Sequence, residues 1–150
     1  ADDMHITVLF MGEQGAELVE ELDEALIAAR FALPDLRIVD LGHFGRGAPR
    51  VAWAGVAPER PLEALHKQVS GHARKYGMRF ERQRYVPHVT LARYTAGSVG
   101  ADAFATAFAR IGRLSLDPFR PHAMQLIESR LGPKGPRYRV LSEYPISTAS

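Results

Sequence analysis

His5-Ile6-Thr7-Val8 and His88-Val89-Thr90-Leu91 are two near copies of one short pattern: histidine, β-branched residue, threonine, aliphatic residue. On a β-strand, successive side chains alternate between faces. His5 and Thr7 therefore share one face and Ile6 and Val8 the other, and the second copy divides the same way. Two such strands facing each other would set two imidazoles and two hydroxyls around one cleft. Taken singly, each copy reads as a core strand with a hydrogen-bonded histidine. The pairing is what points to chemistry.

The chemistry such a group suits is hydrolysis of a phosphodiester. That reaction needs a base to take a proton from water and an acid to protonate the leaving alkoxide. Imidazoles with an ordinary pKa of about 6.5 can hold opposite protonation states near neutrality, and each contributes typically about 10²–10⁴-fold. The threonine hydroxyls can donate to non-bridging phosphate oxygens as charge builds there. A cyclic 2′,3′-phosphate fits because its strained ring needs less activation, so this chemistry calls for no metal or other cofactor.

The remaining histidines read as structural or surface residues. His66 and His72 stand six apart on a predicted helix, not at the i,i+4 spacing of a helical zinc pair. His43 and His122 sit at strand ends without a partner motif. Gly42, Gly45 and Gly47 around Arg46 lack the Lys-Ser/Thr of a P-loop and read as a hairpin turn. Ser129 to Tyr138 carries cations and a tyrosine around a stiff Gly/Pro loop, a surface that can meet RNA phosphates and a base. Trp53, in mid-strand, reads as core.

The elements that must carry these residues follow from periodicity. Residues 4–11 predict a strand ending at Gly12. Leu18, Val19, Leu22, Ala25, Leu26 and Ala29 predict a helix over 16–32, closed by Pro34. Strands are expected at 36–44, 50–57, 88–94, 113–119, 122–130 and near 137–142. Helices are expected from Pro61 to Gly77 and over 101–111. The two motifs stand 83 residues apart, one in each half. That order implies an α+β fold of two pseudo-symmetric lobes, each an antiparallel sheet flanked by helices, meeting at a cleft.

Composition sets the outer bounds. The 150 residues suit one domain of two lobes, and 46% hydrophobic with 24% charged residues is ordinary for a globular protein. The absence of cysteine removes disulfides, thiol catalysis and Cys-ligated zinc, and fits a reducing cytoplasm, the expected location. No apolar run is long enough to span a membrane and no signal-peptide pattern appears. The net charge of +2 is modest, but Arg and Lys concentrate in 74–93 and 130–139, near the candidate segments.

With these residues in view, the chain resembles the 2H phosphoesterases, and within them the bacterial RNA 2′,3′-cyclic phosphodiesterases once called 2′-5′ RNA ligases. The likeness rests on His5 through Glu13, on Phe44 through Val56, and on Pro87-His88-Val89-Thr90-Leu91-Ala92-Arg93. It continues through Glu128-Ser129-Arg130-Leu131-Gly132-Pro133 and Gly135-Pro136-Arg137-Tyr138. The resemblance implies metal-free hydrolysis of RNA 2′,3′-cyclic phosphate ends, on tRNA fragments or oligonucleotides, to 2′-phosphate ends. It implies His5 as proton donor, His88 as proton acceptor, and Thr7 and Thr90 on the phosphate. It suggests Arg93, Ser129, Arg130 and Tyr138 as RNA contacts. Simple alternation puts Arg93 on the face opposite His88, so a direct phosphate role for it requires a twist or a bulge. No obligate protein partner is expected. Family members usually carry a strand and helix before the first motif, whereas four residues precede His5 here, so a longer natural protein is expected.

Three competing functions carry their own requirements. An RNA-binding module with a vestigial cleft would need only the basic surface and the tyrosine loop. A metal-dependent phosphoesterase would need carboxylates beside the histidines; Glu13 and Asp40 are poorly placed for that. A phosphodiesterase for another small cyclic nucleotide would share the same site.

Overall fold

A computed structural model describes residues 4–46, 50–57, 60–82, 84–93, 100–111 and 117–148, without the side chains at 92, 93, 101, 104, 108 and 111. Among the described residues, three helices and six strands run in the order α1 (Ala16–Ala28), β1 (Phe31–Leu33), β2 (Ile38–Phe44), β3 (Val51–Val56), α2 (Arg60–Lys75), β4 (His88–Arg93), α3 (Ala101–Ile111), β5 (Ala123–Gly132) and β6 (Gly135–Thr148). One sheet has the order β2-β3-β4 and is antiparallel throughout. The other has the order β1-β6-β5. The expected α+β architecture with two small sheets is present. The second sheet is mixed rather than antiparallel, because β1 joins β6 in parallel.

The helices take the forms their apolar stripes dictate. On α2, Leu62, Leu65, Val69 and Ala73 are buried in one line. The helix ends in paired 6→1 and 5→2 bonds, Met78 N–H to Ala73 and Gly77 N–H to Arg74. Gly77 takes φ 91°, which a side chain would resist. Helix α1 stops four residues earlier than its periodicity predicts. Leu33 continues the helical spacing of Leu22, Leu26 and Ala29, but Phe31 falls on the opposite side of such a helix; as a strand the two share one face, alternating with exposed Ala32, and β6 supplies the partner. Tertiary pairing outweighs a weak local preference there.

The core forms where α1 and α2 meet the strands, around Leu22, Leu26, Phe31, Leu33, Leu62, Leu65 and Tyr144. Tyr144 is fully buried and donates its hydroxyl to Asp23 Oδ1 at 2.6 Å, tying β6 to α1. Burial and that carboxylate both raise its pKa. β5 and β6 continue past the core as a long ribbon closed by the two-residue turn Pro133-Lys134, with Gly135 at φ 108°. The sequence pattern suggests a loop there and a shorter last strand. Much of the predicted strand 113–119 lies outside the described residues, but Phe119 bridges Leu36. Among the described residues no helix is long and apolar enough to cross a membrane.

Candidate active site

The first motif meets the second through one antiparallel bridge, Ile6 to Val89. Both bridge residues are half-buried against the core, while His5 and Thr7 are exposed. Alternation from that bridge sets His5 across from Thr90 and Thr7 across from His88. Directly opposed Cβ atoms lie about 4.5–5.5 Å apart and diagonal ones about 7–8 Å. His5 and His88 occupy such a diagonal. The four residues singled out from sequence are thus brought together. The segment carrying His5 is not the ladder strand that its pattern predicts, since among the described residues it makes a single bridge.

The chain orients His88 closely. Its Nδ1 lies 2.7 Å from the Val86 carbonyl oxygen, which can only accept, so Nδ1 carries a hydrogen and, in the neutral ring, the lone pair belongs to Nε2. The Phe44 ring meets the imidazole edge-on at 5.1 Å, and Trp53 lies tilted at 6.1 Å. These aromatic neighbours share one face of the β2-β3-β4 sheet. Across it, Asp40 pairs with Gly55 and Gly55 with His88; Gly42 pairs with Trp53 and Trp53 with Thr90. Trp53 therefore faces the site, half-buried, rather than the core. Its indole lies flat over Gly42, where a Cβ would overlap the ring. The Trp53 Nε1–H is buried without a partner among the described residues. The signal that could have revealed this face is a glycine inside a strand, which marks a close approach by a neighbour.

The structure also contains the bulge that Arg93 requires. Thr90 pairs with Trp53 and Ala92 with Ala52, so Leu91 is an extra residue. Beyond it, position 93 pairs with Val51 and rejoins the row of positions 88 and 90. The Arg93 side chain lies outside the described residues. On the ribbon, Tyr138 meets His5 edge-on at 5.5 Å and 85°, with Ser129 directly opposite it. Arg130 and Arg137 form the next pair along, on the other side of the ribbon. The Arg130 Nε donates to Glu128 at 2.9 Å. Among the described residues, no three His, Asp or Glu side chains converge so as to hold a metal ion.

Behind the motifs, His66 and Tyr85 stack in parallel, 4.4 Å apart. The Tyr85 hydroxyl is buried without a partner among the described residues, and burial pushes its pKa from the usual 10 to about 12. The raised value means the fold favours the neutral phenol. That contribution to stability is intact below pH 10 and is lost as the pH climbs from 10 toward 12. Thermal melts across that range should therefore show Tyr85→Phe losing less stability than wild type. Identical alkaline profiles would contradict a buried, ionisable hydroxyl.

Comparison with known proteins agrees with the geometry. An RNA 2′,3′-cyclic phosphodiesterase of Aeropyrum pernix is 30% identical over 151 residues, covering 99% of this chain and 84% of that protein. One of Archaeoglobus fulgidus is 30% identical over 143 residues, covering 93% and 78%. The crystal structure of Escherichia coli LigT in apo form shares the fold with a TM-score of 0.70 at 24% identity, over 97% of this chain and 77% of that one. A crystal structure from Thermus thermophilus matches with a TM-score of 0.74 at 25% identity, over 98% and 80%. The family model of the 2′-5′ RNA ligase superfamily spans residues 2–132 and so includes both bridged motifs. The chain belongs to that superfamily.

Proposed function

We propose that the protein hydrolyses RNA 2′,3′-cyclic phosphate ends to 2′-phosphate ends through its paired histidines. The observation that supports this reading is the Ile6–Val89 bridge, which brings the two His-x-Thr motifs side by side. The activity named for the two archaeal relatives supports it. In this reading the His88 Nε2 takes a proton from water as its oxygen attacks phosphorus. The P–O3′ bond breaks, and His5 gives its proton to the departing 3′ oxygen. The products are a 2′-phosphate monoester and a free 3′-hydroxyl, and proton exchange with solvent resets the two rings. Thr7 and Thr90 donate to the non-bridging oxygens, where charge grows most in the transition state.

The RNA body extends along the basic ribbon. Tyr138 stacks on or borders the terminal nucleotide beside His5, and Ser129, Arg130 and Arg93 meet phosphates. The exposed Arg130–Glu128 pair contributes only about 0–1 kcal/mol, so a phosphate can displace the carboxylate at little cost. A 5′-hydroxyl in place of water would give the reverse outcome, a 2′-5′ joint between two RNAs.

The decisive experiment incubates a short RNA ending in a 2′,3′-cyclic phosphate with the protein in EDTA and identifies the product end. A 2′-phosphate is expected, with a bell-shaped pH dependence about neutrality, because one imidazole must be charged and the other neutral. A 3′-phosphate product, dependence on added metal, or a flat profile from about pH 5 to 8 would overturn the paired-histidine mechanism. Salt-sensitive RNA binding without turnover would assign the cleft to binding instead.

A further inference from the structure

The two motifs are not held equally. β4 lies in a ladder with β3 from Gly55–His88 to Val51–Arg93, whereas among the described residues the backbone of 4–11 pairs with β4 through the single bridge at Ile6. One bridge fixes a point on a segment and leaves its direction to other contacts. Apolar packing of Val8, Leu9 and Met11 on the core supplies part of the restraint. Side-chain hydrogen bonds supply the direction. Gln14 Nε2 bonds the carbonyls of Met11 at 2.7 Å and Arg79 at 2.8 Å, pinning the far end of the segment. Nearer the site, His66 Nδ1 lies 2.7 Å from the Val8 carbonyl oxygen, so that nitrogen is the donor.

His66 has a second neighbour that matters. Its ring is stacked on Tyr85, with 3° between the planes. Tyr85 directly precedes Val86, whose carbonyl orients His88. One imidazole therefore touches the backbone next to Thr7 and the side chain next to the residue that aims His88. Its mount is firm: Leu62, Leu65 and Val69 around it on α2 are each 5% exposed or less.

We propose that His66 is a positioning residue that sets the spacing between the two His-x-Thr motifs through the Val8 carbonyl and the Tyr85 ring. It does not touch substrate. This inference rests on the phosphodiesterase reading for its kinetic consequence, and on the fold alone for its structural one. A misplacement of about 1 Å at reacting groups can cost about 10²-fold in rate, and His66 holds the carbonyl of the residue next to Thr7.

Two substitutions separate the roles. His66→Phe keeps a ring on Tyr85 and removes the donor. His66→Asn keeps a donor near the Nδ1 position and removes the stack. For His66→Phe, kcat on a cyclic-phosphate dinucleotide should fall about 10–100-fold, with KM within about threefold of wild type. His66→Asn should recover most of the lost kcat. Hydrogen exchange of the 4–11 backbone should quicken in His66→Phe and return toward wild type in His66→Asn. Should His66→Phe fail to fold, His66→Gln takes its place, since it fills the site with its donor one bond farther out.

Wild-type kcat in His66→Phe would overturn the proposal. So would unchanged exchange over residues 4–11, or a His66→Asn variant as slow as His66→Phe with both folded. If the wild-type protein turns over no cyclic phosphate, the phosphodiesterase reading fails, and the exchange data alone decide the role of His66.

Discussion

His88→Ala lowers turnover of an RNA 2′,3′-cyclic phosphate end by about 10²–10⁴-fold, and His5→Ala does the same. The size follows from the role. Without an acceptor for the water proton, or a donor for the 3′ oxygen, the strained ring opens only with help from the remaining groups. The double variant should be little slower than either single one, because groups that act as a unit are strongly non-additive. KM should change little, since phosphate and nucleotide contacts remain. Thr7→Val or Thr90→Val removes one donor to the developing charge and should cost about 10²–10³-fold at most. Multiplicative losses in the double histidine variant would indicate two independent sites and sink the shared mechanism. The pH profile of each single variant sharpens the assignment. Loss of the base should remove the acidic limb of the bell, and loss of the acid the alkaline limb.

Gly42→Ala carries the second large effect, on stability and on the site together. A Cβ at Gly42 would overlap the Trp53 ring, and an indole cannot yield as a flexible side chain can. Overpacking of this kind costs about 1–3 kcal/mol, or a fall in Tm of roughly 3–10 °C for a chain of this size. The displaced ring would leave Phe44 and His88, both of which it neighbours. Tryptophan fluorescence should shift to the red, and because Trp53 is the single tryptophan the signal is unambiguous. Gly55→Ala is the natural contrast. Its severe overlap is with the Asp40 carboxylate oxygen, which can rotate away, while the Trp53 ring is a tight contact at 3.0 Å rather than an overlap, so a smaller loss is expected. Unchanged melting and emission in Gly42→Ala would refute the close seat of the indole.

These two cases also mark what could be read from sequence. The histidine pair was legible because strand alternation is local: His5, Thr7, His88 and Thr90 declare their faces without any knowledge of neighbours. The aromatic half of the site was not. Whether Trp53 faces core or cleft depends on its register against Gly42 and Thr90, which the strand itself does not encode. The same holds for Arg93, whose row changes because Leu91 is inserted opposite no partner. Helix α2 was readable to its last turn, since Gly77 and the buried stripe agree. Phe31 and Leu33 alternate with Ala32 as a strand would, but so short a run declares no partner, and β6 supplies it. The full length of β6 was hidden by its prolines. Pro136 is tolerated because it lies on the ribbon beyond β1, where β6 has one neighbour and a missing donor goes unneeded. His66 looked incidental because its partners, Val8 and Tyr85, lie far from it in sequence.

The Ile6–Val89 bridge joins residues 83 positions apart. Closing a loop of that length costs about 4 kcal/mol of chain entropy by the logarithmic rule, and contacts so distant in sequence are slow to form. Hairpins β2-β3 and β5-β6, and helices α1 and α2, depend on much shorter separations. A nascent or recovering chain can therefore possess most of its regular structure while its two histidines are still strangers. Competence arrives with closure of the chain, not with acquisition of helices and sheets.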